Sequence, residues 1–153
     1  MVLNEGDMAE DFVLSAHDGT SIQLDSYKNQ KNIVLCFYPK NHLFACPSKK
    51  VFEMAESVIS VFSQIESEDG VIFAISIDSI ESQAKFVDEY KIPYTHLSDT
   101  DKTVCKNYAG LNMVGLAKRS TFVIDKKGIV RSIFREIDAK NHGMQIVESL
   151  KHL

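Results

Sequence analysis

The sequence predicts an α/β sandwich whose central sheet mixes parallel and antiparallel strands, flanked by helices and opened by an N-terminal β-hairpin. Three observations carry this. Residues 33–38 and 71–77 are the longest apolar runs, and read as strands covered on both faces. Each run is followed by a stretch with helical periodicity, and the chain closes with a hairpin and one more helix. At 153 residues, 44% hydrophobic and 25% charged, the chain has the size and composition of one globular domain spanning 1–153, which excludes a disordered tail or a fibrous repeat.

The elements follow in order. Residues 12–15 and 21–24 are short strand-like pieces around Asp18-Gly19, a pair that favours a tight turn because glycine tolerates positive φ. The run 33–38 is apolar at every position and Pro39 ends it. From Pro47 to about Glu66, Val51, Phe52, Ala55, Val58, Ile59, Phe62 and Ile65 recur at helical steps, with Pro47 suited to the first helical position. After the second buried run, Asp78 with Glu81 resembles a capping box for a helix through about Tyr90, broken by Pro93. Residues 94–97 read as a short strand and 102–108 as a short helix. Residues 121–124 and 129–134 form a hairpin turned at 125–128. Ile146, Val147, Leu150 and Leu153 mark the final helix. Phe52, Phe62 and Phe86 fall on apolar helix faces and read as core.

Charge and motifs remove several function classes. Lys and Arg number 17 against 21 Asp and Glu, a net charge of -4, without the basic excess that nucleic-acid binding draws on. No apolar run approaches the roughly 18 residues of a membrane span. The first residues, Met1 to Asp7, lack a basic segment followed by an apolar one, and the expected location is the cytoplasm. His17, His42, His96, His142 and His152 are scattered without metal-ligand spacing, and no glycine-rich nucleotide motif is present, so no metal or cofactor is expected. The Lys126-Lys127 pair reads as solvated.

Cys36, Cys46 and Cys105 form no CxxC pair, and an odd number in a reducing compartment argues for free thiols. Cys46 follows a central strand and precedes a long helix, where unpaired N–H groups and the helix dipole favour thiolate. Lys49 and Lys50 in the first helical turn would lower its pKa further if they point inward. A small buried apolar role is the alternative, as it is for most free cysteines.

Separated matches in the same order now identify a family. The chain resembles the peroxiredoxins of the AhpC/TSA superfamily, and among them the bacterioferritin comigratory protein or Q-type group. The resemblance rests on residues 9–14 with Asp18-Gly19, residues 34–40, Leu97-Ser98-Asp99, and residues 119–125 with Gly128. It implies a thioredoxin-like fold and reduction of hydrogen peroxide or alkyl hydroperoxides without a cofactor. Cys46 would be the peroxidatic cysteine, Pro39 its shield from water, and Arg119 a fixed cation that favours thiolate and donates to the peroxide. Relatives include monomers and homodimers.

The catalytic loop of the family carries a threonine where this chain has Leu43, and Thr and Glu where it has Pro47 and Lys49. Leucine cannot donate to the peroxide, and losing one such donor costs on the order of 100- to 1000-fold in rate. Either His42 or Ser48 replaces the hydroxyl, or the fold serves binding or redox sensing with little peroxidase activity. Many Q-type relatives place a second cysteine where Val51 stands. Cys36 and Cys105 read as packed residues, so the expected cycle uses one cysteine, with thioredoxin, glutaredoxin or a small thiol as reductant.

Overall fold

The structure is a computed structural model that describes residues 3–43, 46–47, 49–135 and 137–153, without the side chains of residues 42–50. In chain order the elements are β1 (Val13–Ala16), β2 (Ser21–Gln23), a 3-10 turn (Leu24–Tyr27), β3 (Asn32–Phe37), β4 (His42–Leu43), β5 (Cys46–Pro47) and α1 (Lys49–Ser67). They continue with β6 (Gly70–Ser76), α2 (Ile80–Tyr90), β7 (Thr95–Ser98), α3 (Thr103–Tyr108), β8 (Ser120–Ile124), β9 (Val130–Phe134) and α4 (His142–Lys151).

Seven strands form one mixed sheet in the order β2-β1-β7-β6-β3-β8-β9. β3, β6 and β7 run parallel, each joined to the next by a helical crossover, while β1, β2, β8 and β9 add antiparallel neighbours. The expected mixed α/β architecture and its N-terminal hairpin are both present. β4 and β5 stand apart as a two-stranded ribbon pairing His42 with Pro47 and Leu43 with Cys46.

β3 shows why the sheet reads apolar at every position. Val34 and Cys36 pack into a cluster with α1, α2 and α4, whereas Ile33, Leu35 and Phe37 pack into a second one with α3 and the N-terminal segment. A strand sandwiched in this way loses the polar alternation of a half-exposed strand. On α1 the buried face is Val51, Met54, Ala55, Val58, Val61 and Ile65. Full burial of each larger apolar side chain contributes about 1.5–3 kcal/mol, so this face, more than helix propensity, fixes α1 on the sheet. At the start of α4 the backbone comes so close to α1 that a Cβ on Gly143 would lie 2.3 Å from the Ser57 carbonyl oxygen. The Gly143 N–H donates to Ser57 Oγ at 2.8 Å across the same contact.

Two sequence expectations need correction. Pro47 is not the first residue of α1; it lies in β5 opposite His42. A proline is tolerated there because a two-stranded ribbon has an edge facing away from its partner, where no donor is required. Asp78 does not cap α2. The cap is Ser79, whose hydroxyl accepts from the Ser82 N–H at 3.2 Å, while Asp78 turns inward to accept from the Asn41 N–H at 2.9 Å. α2 ends at Tyr90 and is capped by Lys91, which adopts a left-handed conformation with φ 53°, two residues before Pro93. Among the described residues no helix is long and apolar enough to cross a membrane, and no group of three or more His, Cys, Asp or Glu could hold a metal ion.

Candidate active site

In a sheet of this kind ligands gather where the parallel strands end at their carboxyl edge. β3 leaves the sheet there through Tyr38 and half-buried Pro39, and the chain turns at the fully buried Asn41 into the β4–β5 ribbon. The pairing of Leu43 with Cys46 brings the two loop positions face to face in backbone register. Three residues beyond Cys46, α1 begins at Lys49, so the backbone of Cys46 lies just ahead of the positive end of a long helix. The side chains of Cys46, His42, Leu43, Lys49 and Lys50, and the whole of Ser48, lie outside the described residues.

Arg119 reaches the same edge from the other direction. β8 is antiparallel to β3 and its first residue, Ser120, pairs with Phe37, so Arg119 stands beside the end of β3. The guanidinium is partly buried and its Nη1 is an enclosed donor with no hydrogen-bond partner among the described residues. Burial pulls its pKa below the ordinary value, yet a guanidinium stays charged at any physiological pH. A half-buried cation whose enclosed donor has no partner among the described residues is costly, and it is well suited to meet an anion or a polarised oxygen. Sequence reading did not single out Arg135, whose guanidinium carbon lies 5.5 Å over the Phe122 ring. Its position follows from the pairing of Phe134 with Thr121, which carries β9 to the same edge. A basic residue directly after the last strand was the only sequence signal.

The other two cysteines are packed as expected. Cys36 and Cys105 are both free and buried, and they belong to different apolar clusters on opposite faces of the sheet. Burial pushes the Cys36 thiol up to about 12, against the lowering effect of its contact with Thr121. Burial, reinforced by the neighbouring Asp99 carboxylate, drives Cys105 even higher. Neither is a thiolate at neutral pH.

Behind the loop lies a buried polar network assembled from residues far apart in the chain. The Asn41 side chain donates from Nδ2 to Ser82 Oγ at 3.2 Å and to Gln83 Oε1 at 3.3 Å, and its Oδ1 accepts from the Tyr38 hydroxyl. Gln83 Nε2 donates to Ser76 Oγ at 2.9 Å and to the Leu97 carbonyl at 3.0 Å, which fixes Oε1 as the acceptor end. His96 Nδ1, 3.0 Å from Gln83 Oε1, must then carry the proton, leaving Nε2 as a buried acceptor without a partner among the described residues. Ser76 donates to Asp78 Oδ2 at 2.6 Å and Ser98 to the Asp78 carbonyl at 2.5 Å, closing the set. A cavity of about 20 Å³ adjoins it, lined by His96, Tyr38, Cys36 and apolar side chains of α1.

Burial holds His96 neutral, with its pKa lowered from 6.5 to about 3. In the unfolded chain the imidazole regains its ordinary value, so between pH 6.5 and about 3 the unfolded state binds a proton that the native state refuses. Stability therefore falls as pH drops through this window, with a contribution approaching about 1.4 kcal/mol per pH unit. Urea unfolding at pH 7 and pH 4.5 should show a smaller acid loss in His96→Leu than in the parent; equal losses would contradict the assignment.

The chain matches the AhpC/TSA family over residues 5–133. It is 31% identical to peroxiredoxin Bcp of Bacillus subtilis, an alignment covering 100% of this chain and 98% of that protein. The chloroplastic peroxiredoxin Q of Suaeda salsa is 30% identical over 99% of this chain and 68% of its own length. Among solved structures, peroxidoxin BcpB from Mycobacterium tuberculosis aligns with a TM-score of 0.86 at 25% identity, covering 99% of this chain and 98% of that one.

Proposed function

This chain belongs to the AhpC/TSA family, in its Bcp and peroxiredoxin Q group, and is a thiol-dependent peroxidase; from that premise we propose that Cys46 is its peroxidatic cysteine and Arg119 the cation that serves it. The substrates are hydrogen peroxide and organic hydroperoxides, and the setting is the cytoplasm, with residues 1–153 acting as one domain. The observation that carries this reading is the enclosed Nη1 of Arg119, without a hydrogen-bond partner among the described residues, at the strand edge from which the Cys46 segment departs.

The chemistry proceeds in balanced steps. The Cys46 thiolate attacks one peroxide oxygen; the S–O bond forms as the O–O bond breaks, and the departing oxygen takes a proton to leave as water or an alcohol. The guanidinium stabilises charge at both moments, on sulfur before attack and on the leaving oxygen during it. Pro39 limits water access to the sulfur. An external thiolate then attacks the sulfenic sulfur, expelling water and forming a mixed disulfide, which a second thiol exchanges to regenerate Cys46.

The burial of Cys36 and Cys105 on opposite faces, both with raised pKa, supports a one-cysteine cycle. The double variant Cys36→Ala, Cys105→Ala should retain hydroperoxide turnover with thioredoxin, glutaredoxin or a small thiol as reductant. Loss of turnover in a variant that still folds would assign one of them a resolving role. Leu43 leaves the loop without the hydroxyl of its relatives, and the alternative of a sensor with little activity rests on this residue. Leu43→Thr should raise kcat/KM for peroxide by about tenfold or more, since one added transition-state donor is worth at least that. An unchanged rate would show that His42 or Ser48 already fills the role.

A further inference from the structure

We propose that Asn41 and Gln83 are positioning residues for Cys46: the buried polar network behind the loop clamps the chain where it leaves β3 and so sets the register of the ribbon that carries the cysteine. The inference rests on the reading of Cys46 given above.

The argument begins with location. Asn41 directly precedes β4, whose Leu43 is paired with Cys46, and it is the last fully buried residue before the ribbon. Its backbone N–H and both ends of its side-chain amide are engaged, by Asp78, Tyr38, Ser82 and Gln83. These partners come from the end of β3, the turn after β6, and α2, so one residue is held from three directions. Gln83 is then fixed in turn by Ser76 and the Leu97 carbonyl. Removing one partner of such a set leaves a buried group unsatisfied, which makes the position of Asn41 stiff.

The composition of the network supports the same conclusion. Strand ends are ordinarily satisfied by backbone, water or a single side chain, yet here Tyr38, Asn41, Ser76, Asp78, Gln83, His96 and Ser98 converge behind one turn. Gln83 and His96 are 0% and 2% exposed, in places where apolar residues would pack at lower cost. A displacement of about 1 Å at a reacting atom costs on the order of 100-fold in rate, and a stiff anchor five residues before Cys46 limits such displacement.

The experiment reads the Cys46 thiol itself. Iodoacetamide alkylation of Cys46, followed by peptide mass spectrometry across pH, gives the midpoint at which the thiolate forms. It is compared in the parent, Gln83→Leu, Tyr38→Phe and Val130→Ala. Val130 is buried at the opposite end of the sheet, paired with Ile124, and its truncation lowers stability without touching the network. Gln83→Leu and Tyr38→Phe should move the midpoint up towards the free-cysteine value of about 8.5, and should lower kcat more than they raise KM. Val130→Ala should melt earlier and keep the parent midpoint. A low parent midpoint that Gln83→Leu and Tyr38→Phe leave unchanged overturns the clamp while sparing the peroxidatic role of Cys46. A midpoint that moves equally in Val130→Ala reduces the network to general stability and overturns it as well. A parent midpoint already near 8.5 removes the activated thiolate, and both readings fall together.

Discussion

Cys46→Ser is expected to abolish peroxide consumption, with turnover falling to the rate of the thiol reductant alone. A serine hydroxyl is not ionised at neutral pH, and the oxygen lacks the nucleophilicity and the oxidation chemistry of a thiolate. No other thiol can stand in, because Cys36 and Cys105 are buried with raised pKa on opposite faces of the sheet. The variant should fold as the parent does. Coupled consumption of hydrogen peroxide and of an organic hydroperoxide, with a circular dichroism melt alongside, checks both statements. Residual enzymatic turnover above a few per cent would move the reaction to another residue.

Arg119→Met should lower kcat/KM for peroxide by about 100- to 1000-fold, the usual cost of losing a preorganised donor to transition-state charge. Two effects act in the same direction. The neutral side chain no longer favours the Cys46 thiolate, so the alkalinity required for activity rises, and no Nη1 donor meets the departing oxygen. The sign is fixed by electrostatics: a cation stabilises the anionic form and lowers the thiol pKa, so removing it shifts the rate–pH profile upward. Arg119→Lys should recover only part of the loss, because a compact ammonium cannot reproduce the planar fork of the guanidinium. Stability should change little, since methionine relieves the cost of a half-buried charge. A full parental rate in Arg119→Met would assign the guanidinium a packing role.

The strands and helices were legible where burial imposed a local pattern. Residues 33–38 read as a central strand because two apolar clusters cover both faces of β3, and 71–77 because the same holds for β6. What failed was local chemistry with two uses. Proline at a helix start and proline at a ribbon edge both exploit a missing donor, and nothing in the sequence around Pro47 separates them. An aspartate ahead of a helix can cap it or reach across the fold, and the acceptor need of the Asn41 N–H decided Asp78.

The candidate site was legible in a different way. The position of Cys46 between strand and helix was apparent from order alone, whereas the enclosure of Arg119 depends on the antiparallel pairing of Ser120 with Phe37, some eighty residues apart in sequence. The network behind the loop was not legible, since its members come from β3, β6, α2 and β7. One signal was present. Gln83 lies on the α2 face that carries Phe86 inward, and a glutamine there has to find buried partners.

The most direct experiment is to treat the reduced protein with one equivalent of hydrogen peroxide and follow it by intact mass and dimedone labelling. The expected result is rapid gain of one oxygen, captured as a dimedone adduct that maps to Cys46 and is absent from Cys46→Ser. No adduct at Cys46, or oxidation at Cys36 or Cys105 in its place, would contradict a peroxidatic Cys46.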